Sequence, residues 1–491
     1  MAGTHFIARQ TPITADWLND VNALVYGSGV SILNVRSMGA VGDGMTDDTT
    51  AIQSALTSGA MFVLIPPGYT FLVTSLTLSV GQTLLIQGTL SKKSGGTNLI
   101  LMATKSSIIG PGRIVGNSVT SDCIVASGSS ELHVQGITIS GFTGKGVSFY
   151  ANCSKYIINN NSIYNLTGAA INVEYSTMGI ISGNIVDAAH DGVLFYGGDA
   201  NVSTTIGSSG LVISDNVIQN IVWGGIWGTL TQDVSVTNNY TKSCADVGID
   251  FEGCMDFTCT GNTVIEGGNA CYSCFFGSSN GTFTGNSAKN VTSTGAGFYF
   301  TTNASYTNTG LSVVGNTVTT KTFCILTTSN AGRALYRSII ANNTLTSTGG
   351  YPTIELQEVS NISIQGNVST TSNSAVGFFL SGVTASSVCN NTLYGFGSTG
   401  TVPATSGGIR LFGESTTYPS QSNAVRCNSV YSYAYSIVDN CTTPGVTYSK
   451  NKIDFNAVGA IYRSVGATYN GVVTNNTDVY DPNVAVAAQT F

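Results

Sequence analysis

Two carboxylates stand out by type and spacing. Asp250 and Glu252 flank an apolar residue in the segment GIDFE, residues 248–252. In an extended strand both would point to one face, with Cα atoms roughly 6.5–7 Å apart given a rise of about 3.3 Å per residue. Two carboxyls about 6.5–9.5 Å apart are what hydrolysis of a glycosidic bond with inversion requires, because a water must fit between acid, base and sugar. Their surroundings suit that chemistry. Ten of the 25 Asp and Glu lie between residues 187 and 266, where Lys242 is the one Lys or Arg. Close carboxylates force their pKa values apart, which is how an acid and a base come to coexist.

Other residues join these two once the chain is cut into coils. A β-type run ending in Gly-Asn or Asn-Asn recurs from about residue 130 to 455. Twelve turn asparagines align: Asn161, Asn184, Asn216, Asn239, Asn262, Asn286, Asn316, Asn343, Asn367, Asn391, Asn428 and Asn451. Spacings of 23 or 24 residues dominate and longer ones mark loop insertions, so one unit repeats. Asn suits such a corner because it tolerates left-handed backbone and its side chain can ladder from coil to coil. A second strand follows each Asn by about ten residues, as in AINVE, GVLFY, GIDFE and GIRLF. Its period-2 pattern turns Ile171/Val173, Val193/Phe195, Ile249/Phe251, Ile354/Leu356 and Ile409/Leu411 inward.

Stacking these strands brings Trp227 into the column of Asp250, and Tyr196 and Glu174 into the column of Glu252. His190, Trp223 and Asp246 share the column where the strand begins, with Asp191 beside His190. The candidate catalytic residues are therefore Asp250, Glu252, Asp246, His190 and Asp191, and the candidate sugar contacts are Trp223, Trp227, Glu174 and Tyr196. Glu252 is the expected general acid and Asp250 the base. Both point out of the core, so their replacement should hardly change melting. If the reaction were an elimination, His190 or Tyr196 would be the base. An alternative site groups Glu355, Glu358 and Arg410, with Glu414, Arg333 and Arg337 near; Glu355 and Arg410 share an outward column two coils apart. A guanidinium there could hold an acidic sugar in a bidentate pair.

Composition sets limits. Only 9% of the 491 residues are charged, 42% are hydrophobic and 59 are Gly, which suits a large all-β chain of many short strands. The net charge of −7 and the lack of a basic stripe speak against nucleic acid. No apolar run approaches a membrane span, and the first residues lack a signal-peptide core. Eleven cysteines, an odd number, disfavour a disulfide scaffold. Cys254, Cys259, Cys271 and Cys274 loosely resemble a zinc pattern but read better as small core residues. No cofactor and no catalytic transition metal are expected; weak calcium in the acidic window stays open.

The fold expected is a right-handed single-stranded parallel β-helix, an all-β solenoid of about a dozen coils. The segment NVRSMGAVGDGMTDDTTAIQSAL followed by IPPGYT resembles the opening of the pectate-lyase-like family of β-helical carbohydrate enzymes. It reads as a cap, with Thr46 at a helix N-terminus, Asp47 and Asp48 in its first turn, and Asp43 in the loop before it. PITADWLNDVNALVYG is similar to the helical segment that opens many bacteriophage tail fibres and tailspikes. That resemblance implies a virion protein of the phage tail, made in the host cytoplasm and attached through its N-terminus to a baseplate or adaptor protein. It implies a homotrimer that binds, and usually cleaves, a host capsule, exopolysaccharide or O-antigen. A non-enzymatic receptor-binding fibre, a lyase and a free polysaccharide-degrading enzyme are the alternatives. The NTD, DD, GHG and RIK series of polygalacturonases is missing: the one DD is Asp47-Asp48, and His190-Asp191-Gly192 is the nearest to the histidine motif. The Arg and calcium-binding Asp arrangement of pectate lyases is not legible either, so pectin is not the expected substrate. Four segments follow: 1–30 for attachment with a helix at 14–26, 31–80 as cap, 81–455 as the β-helix carrying the site, and 456–491 as a distal trimerisation segment.

Overall fold

Short apolar strands separated by residues able to turn sharply can bury their inner faces only by stacking, and the chain does so. The structure, a computed structural model, describes residues 32–440 apart from 303–305, 330–331, 373–375, 396–406, 414–419, 421, 432 and 434–436. Beyond 440 it describes the backbone of four short strands within 452–480. The expected attachment segment 1–30 with its helix at 14–26, Glu414 and Asn451 lie outside the described residues.

The chain winds as a right-handed parallel β-helix of about 15 turns. Most turns contribute one strand to each of three parallel sheets, three successive turns add a short strand to a fourth, and the strand pairings between successive coils are parallel. The first sheet begins at Ile32–Asn34, the second at Asp43–Asp47 and the third at Leu76–Thr77. Strands 461–463 and 479–480 continue the third sheet. The turn count exceeds the dozen expected because the first coils bend between sheets one and two without the asparagine. They use Gln87-Gly88, Gly110-Pro111-Gly112 and Gly136-Ile137 instead.

Alternation fills the interior. Ile171, Val173, Val193, Phe195, Ile249, Phe251, Ile354, Leu356, Ile409 and Leu411 are all fully buried. Each such side chain stabilises the fold by about 1.5–3 kcal/mol on leaving water. Cys254, Cys259, Cys271 and Cys274 are buried there too, as free thiols. The turn asparagines from Asn161 to Asn428 are buried and form a continuous ladder. Asn239, for example, donates from Nδ2 to Asn262 Oδ1 at 3.0 Å and to the Ile213 carbonyl at 2.9 Å. Its own Oδ1 accepts from the backbone and side-chain nitrogens of Asn216 at 3.0 and 2.9 Å. The left-handed backbone expected of these asparagines belongs to the residue before each: Asn160, Gly183, Asp215, Asn238 and Gly261 have positive φ. The asparagine is selected for its ladder rather than its backbone.

The cap differs in one detail. Asp43–Asp47 is a strand and the helix α1 is Thr49–Thr57, so its N-cap is Asp48, two residues after the expected Thr46. Asp48 is buried and accepts from the Val41 and Gly42 amides at 2.6 and 3.1 Å, while Asp47 binds Thr49 and pairs with Lys93. The three aspartates are cap residues.

Candidate active site

The strand Val247–Glu252 lies in the middle of the third sheet. Its inward Phe251 stacks on Phe257, ring centroids 4.0 Å apart, which fixes the strand's rotation and turns Asp250 and Glu252 to the outer face. Trp227 pairs with Asp250 and Thr229 with Glu252 in the coil before; Ser273 and Phe275 do so in the coil after. Between Trp227 and Thr229 the inward position is Gly228, where a Cβ would sit 2.1 Å from the Phe195 ring. The large ring of one coil thus requires the missing side chain of the next.

Pointing outward does not leave Asp250 in water. It is 4% exposed, with Oδ1 accepting from the Ser273 hydroxyl at 2.5 Å. Burial raises its pKa, the nearby Asp246 charge adds to that, and the Ser273 bond opposes it. Glu252 is raised further, first by burial and then by the charges of Asp250, Asp246 and Asp199. The pair is therefore a coupled dyad in which Glu252 holds its proton more tightly. The burial of Asp250 removes the ground for expecting its replacement to leave melting unchanged.

Backbone hydrogen bonds string His190, Trp223, Asp246 and Asn269 into one column on successive coils. The His190 and Trp223 rings stack at 6.2 Å and 11°. Asp191 is buried and ties this column to the dyad's: Oδ2 accepts from His190 Nδ1 and Oδ1 from Trp227 Nε1, each at 2.8 Å. The indole packs close against Gly224, where a Cβ would come within 2.4 Å of Cδ1. Asp246 is raised by burial against a hydrogen bond with Asn269.

Tyr196 and Glu174 occupy the column of Glu252, two and three coils before it. Burial would raise Glu174, but hydrogen bonds from Lys145 at 2.8 Å and Asn172 at 2.9 Å outweigh it and its pKa falls. It is thus a fixed anion. Tyr196 meets Tyr175 edge to face at 5.9 Å. The loop after it carries Asp199, whose charge reaches Glu252.

At the far end of the same face, Glu355, Phe379 and Arg410 are stacked on successive coils. The Arg410 guanidinium lies 5.1 and 4.9 Å from the ring centroids of Phe379 and Phe412. Burial raises Glu355 against a hydrogen bond from Gln357. Glu358 does not join them: it turns the corner with φ 52° before the strand Val359–Ser360. Arg333 bonds Thr384 at 2.9 Å and Arg337 lies over Tyr336, both at that corner. Sequence reasoning counted Asp199 only among the ten acids between 187 and 266 and passed over Ser273, Asn269, Phe275 and Tyr299. Counting one and two coils onward from GIDFE, to ACYSCF and AGFYF, would have found Ser273 and Tyr299 in the column of Asp250.

Residues 73–206 match the family described as the right handed beta helix region, which stops before the dyad's strand. Among solved structures the chain is similar to the family 28 exopolygalacturonase of Yersinia enterocolitica, with a TM-score of 0.60 and 16% identity over 68% of this chain and 79% of that one. The fold is that of the right-handed β-helix proteins. A second such protein is a tailspike mutant of E. coli bacteriophage HK620 in complex with pentasaccharide, with a TM-score of 0.54 and 12% identity over 74% of this chain and 78% of that one. At these identities what the β-helices share is the winding of the chain. No curated protein matches the sequence. Among the described residues no helix of this β-helix chain is long and apolar enough to cross a membrane.

Proposed function

We propose that this β-helix hydrolyses a polysaccharide within its chain, and that it does so as a phage tailspike acting on a bacterial capsule, exopolysaccharide or O-antigen. The observation that carries the hydrolase reading is the Asp250/Glu252 dyad: two outward carboxyls on one strand, both raised, one more than the other, beside an indole held by Asp191. Glu252, protonated, gives its proton to the glycosidic oxygen as the bond breaks. Asp250, ionised, takes a proton from the water that attacks the anomeric carbon from the opposite side. The Ser273 bond orients Asp250, and the Trp227 face offers a surface on which a sugar ring can stack. The tailspike reading rests on the segment at residues 12–27 and on the likeness to a solved tailspike, and it brings with it a homotrimer and a place in the virion tail.

The test is direct. Purified protein is spotted on lawns of a panel of capsulated and O-antigen-bearing strains, and released reducing ends are measured on the polysaccharide of any strain cleared. Cleared lawns with new reducing ends support hydrolysis. Binding to cells without clearing points to a receptor-binding fibre. A product absorbing near the ultraviolet edge would show elimination, with His190 or Tyr196 as base.

A further inference from the structure

The outer face of the third sheet changes character on the two sides of the dyad. Toward the N-terminus it carries Lys145, Glu174, His190 and Asp191, with two ion pairs among them. Toward the C-terminus the next three coils present Ser273 and Phe275, Tyr299 and Thr301, Leu326 and Thr328, with no charge at all. Tyr299 stands in the column of Trp227 and Asp250, three coils beyond Trp227, or roughly 14 Å at the ordinary strand spacing. Its ring is half-buried and held on two sides. The hydroxyl lies 2.8 Å from Thr328 Oγ1, which in turn bonds Thr301 Oγ1 at 3.0 Å. Phe275 meets the ring edge to face at 5.4 Å and 78°.

We infer that Tyr299 is a second sugar platform, two coils past Asp250, and that it takes an uncharged sugar by stacking on its apolar face. A ring locked at its hydroxyl and at its edge loses little freedom when a sugar covers it, so the contact is converted into affinity rather than spent on ordering. With no cation or anion at the outward positions of those three strands, a charged sugar would lose its hydration there without compensation. The glycan then runs along the solenoid axis across the dyad, with rings on Trp227 and Tyr299 bracketing the bond that breaks. This deepens the hydrolase reading and rests on it.

The experiment uses the full chain carrying Asp250→Asn, so that substrate stays intact, and the polysaccharide purified from a strain whose lawn the wild-type protein clears. Affinity is measured by calorimetry for Tyr299→Ala, Tyr299→Leu and Tyr299→Phe in that background. The Ala and Leu variants should bind about tenfold more weakly or worse, a typical consequence of losing one stacked aromatic. The Phe variant should stay within about twofold, since it keeps the π face. The loss should be the same at low and high salt, as befits an uncharged contact. Wild-type affinity in both Ala and Leu variants, or a loss that salt abolishes, overturns the platform while leaving the hydrolase standing. No cleared lawn on any strain overturns the hydrolase reading and this inference with it.

Discussion

At the scale of single residues, the dyad makes the sharpest claims. Asp250→Asn and Glu252→Gln should each lower turnover about a hundredfold or more, the usual size of an acid–base contribution. Because Asp250 is raised to about 7 and Glu252 to about 9, hydrolysis needs the first ionised and the second protonated. The rate should rise through the first value and fall through the second, as limbs that belong to the coupled pair. Reducing-end release across pH should show this bell, and Glu252→Gln should lack its alkaline limb. The same burial costs stability. The pKa of Asp250 is higher in the folded chain than in the unfolded one, so its contribution is most favourable below about pH 4 and is lost as pH rises through about 7. Each tenfold step in proton affinity is worth about 1.4 kcal/mol. Asp250→Asn should therefore melt above the wild type at pH 8, with the difference shrinking toward pH 4 in thermal scans. Which residues share a column was legible in the sequence, since a period of two and one coil length fix it. That Asp250 is buried was not. The burial of an outward side chain depends on how far its neighbours in other coils reach sideways, and no period encodes that reach.

At the scale of elements, the asparagine corner does more than turn. Each side chain satisfies groups on two neighbouring coils, so a single truncation leaves several buried donors and acceptors without partners. Asn239→Ala takes a hydrogen bond from the Ile213 carbonyl and from both Asn216 nitrogens on the coil before, and one of two from Asn262 Oδ1 on the coil after. It should destabilise the chain by about 3 kcal/mol or more, read from the midpoint of denaturant unfolding. An exposed corner position such as Asp215→Gly, where φ is already 58°, should cost little or nothing. The asparagine register was plain in the sequence because its chemistry is irreplaceable. The first coils were not, because Gly88, Gly112 and Gly136 can bend the chain there without leaving a repeated letter.

At the scale of the whole molecule, the expectation from the N-terminal resemblance is a parallel homotrimer, with residues 14–26 and 456–491 near the threefold axis. Multi-angle light scattering should give three times the 50.7 kDa chain mass, and monomer mass in dilute buffer would sink the idea. Removing residues 1–30 should leave hydrolysis by the purified protein intact, because every described residue of the site comes from the coils.

The insertion between Tyr196 and Ser208 has a further consequence. It lengthens one coil well beyond its neighbours, yet Leu194 still meets Trp227, and Ile180 still meets Val212. Rim and backplane are thus separately adjustable. Extra residues leave at a corner and return to the same register, so the loop can be rebuilt while the strands on either side keep their pairings. Such a scaffold can change what it admits faster than it changes what it does. Variants that differ in the loop at 197–207 but keep Asp199 should then keep the reaction and exchange the glycan, read by reducing-end release across a panel of polysaccharides.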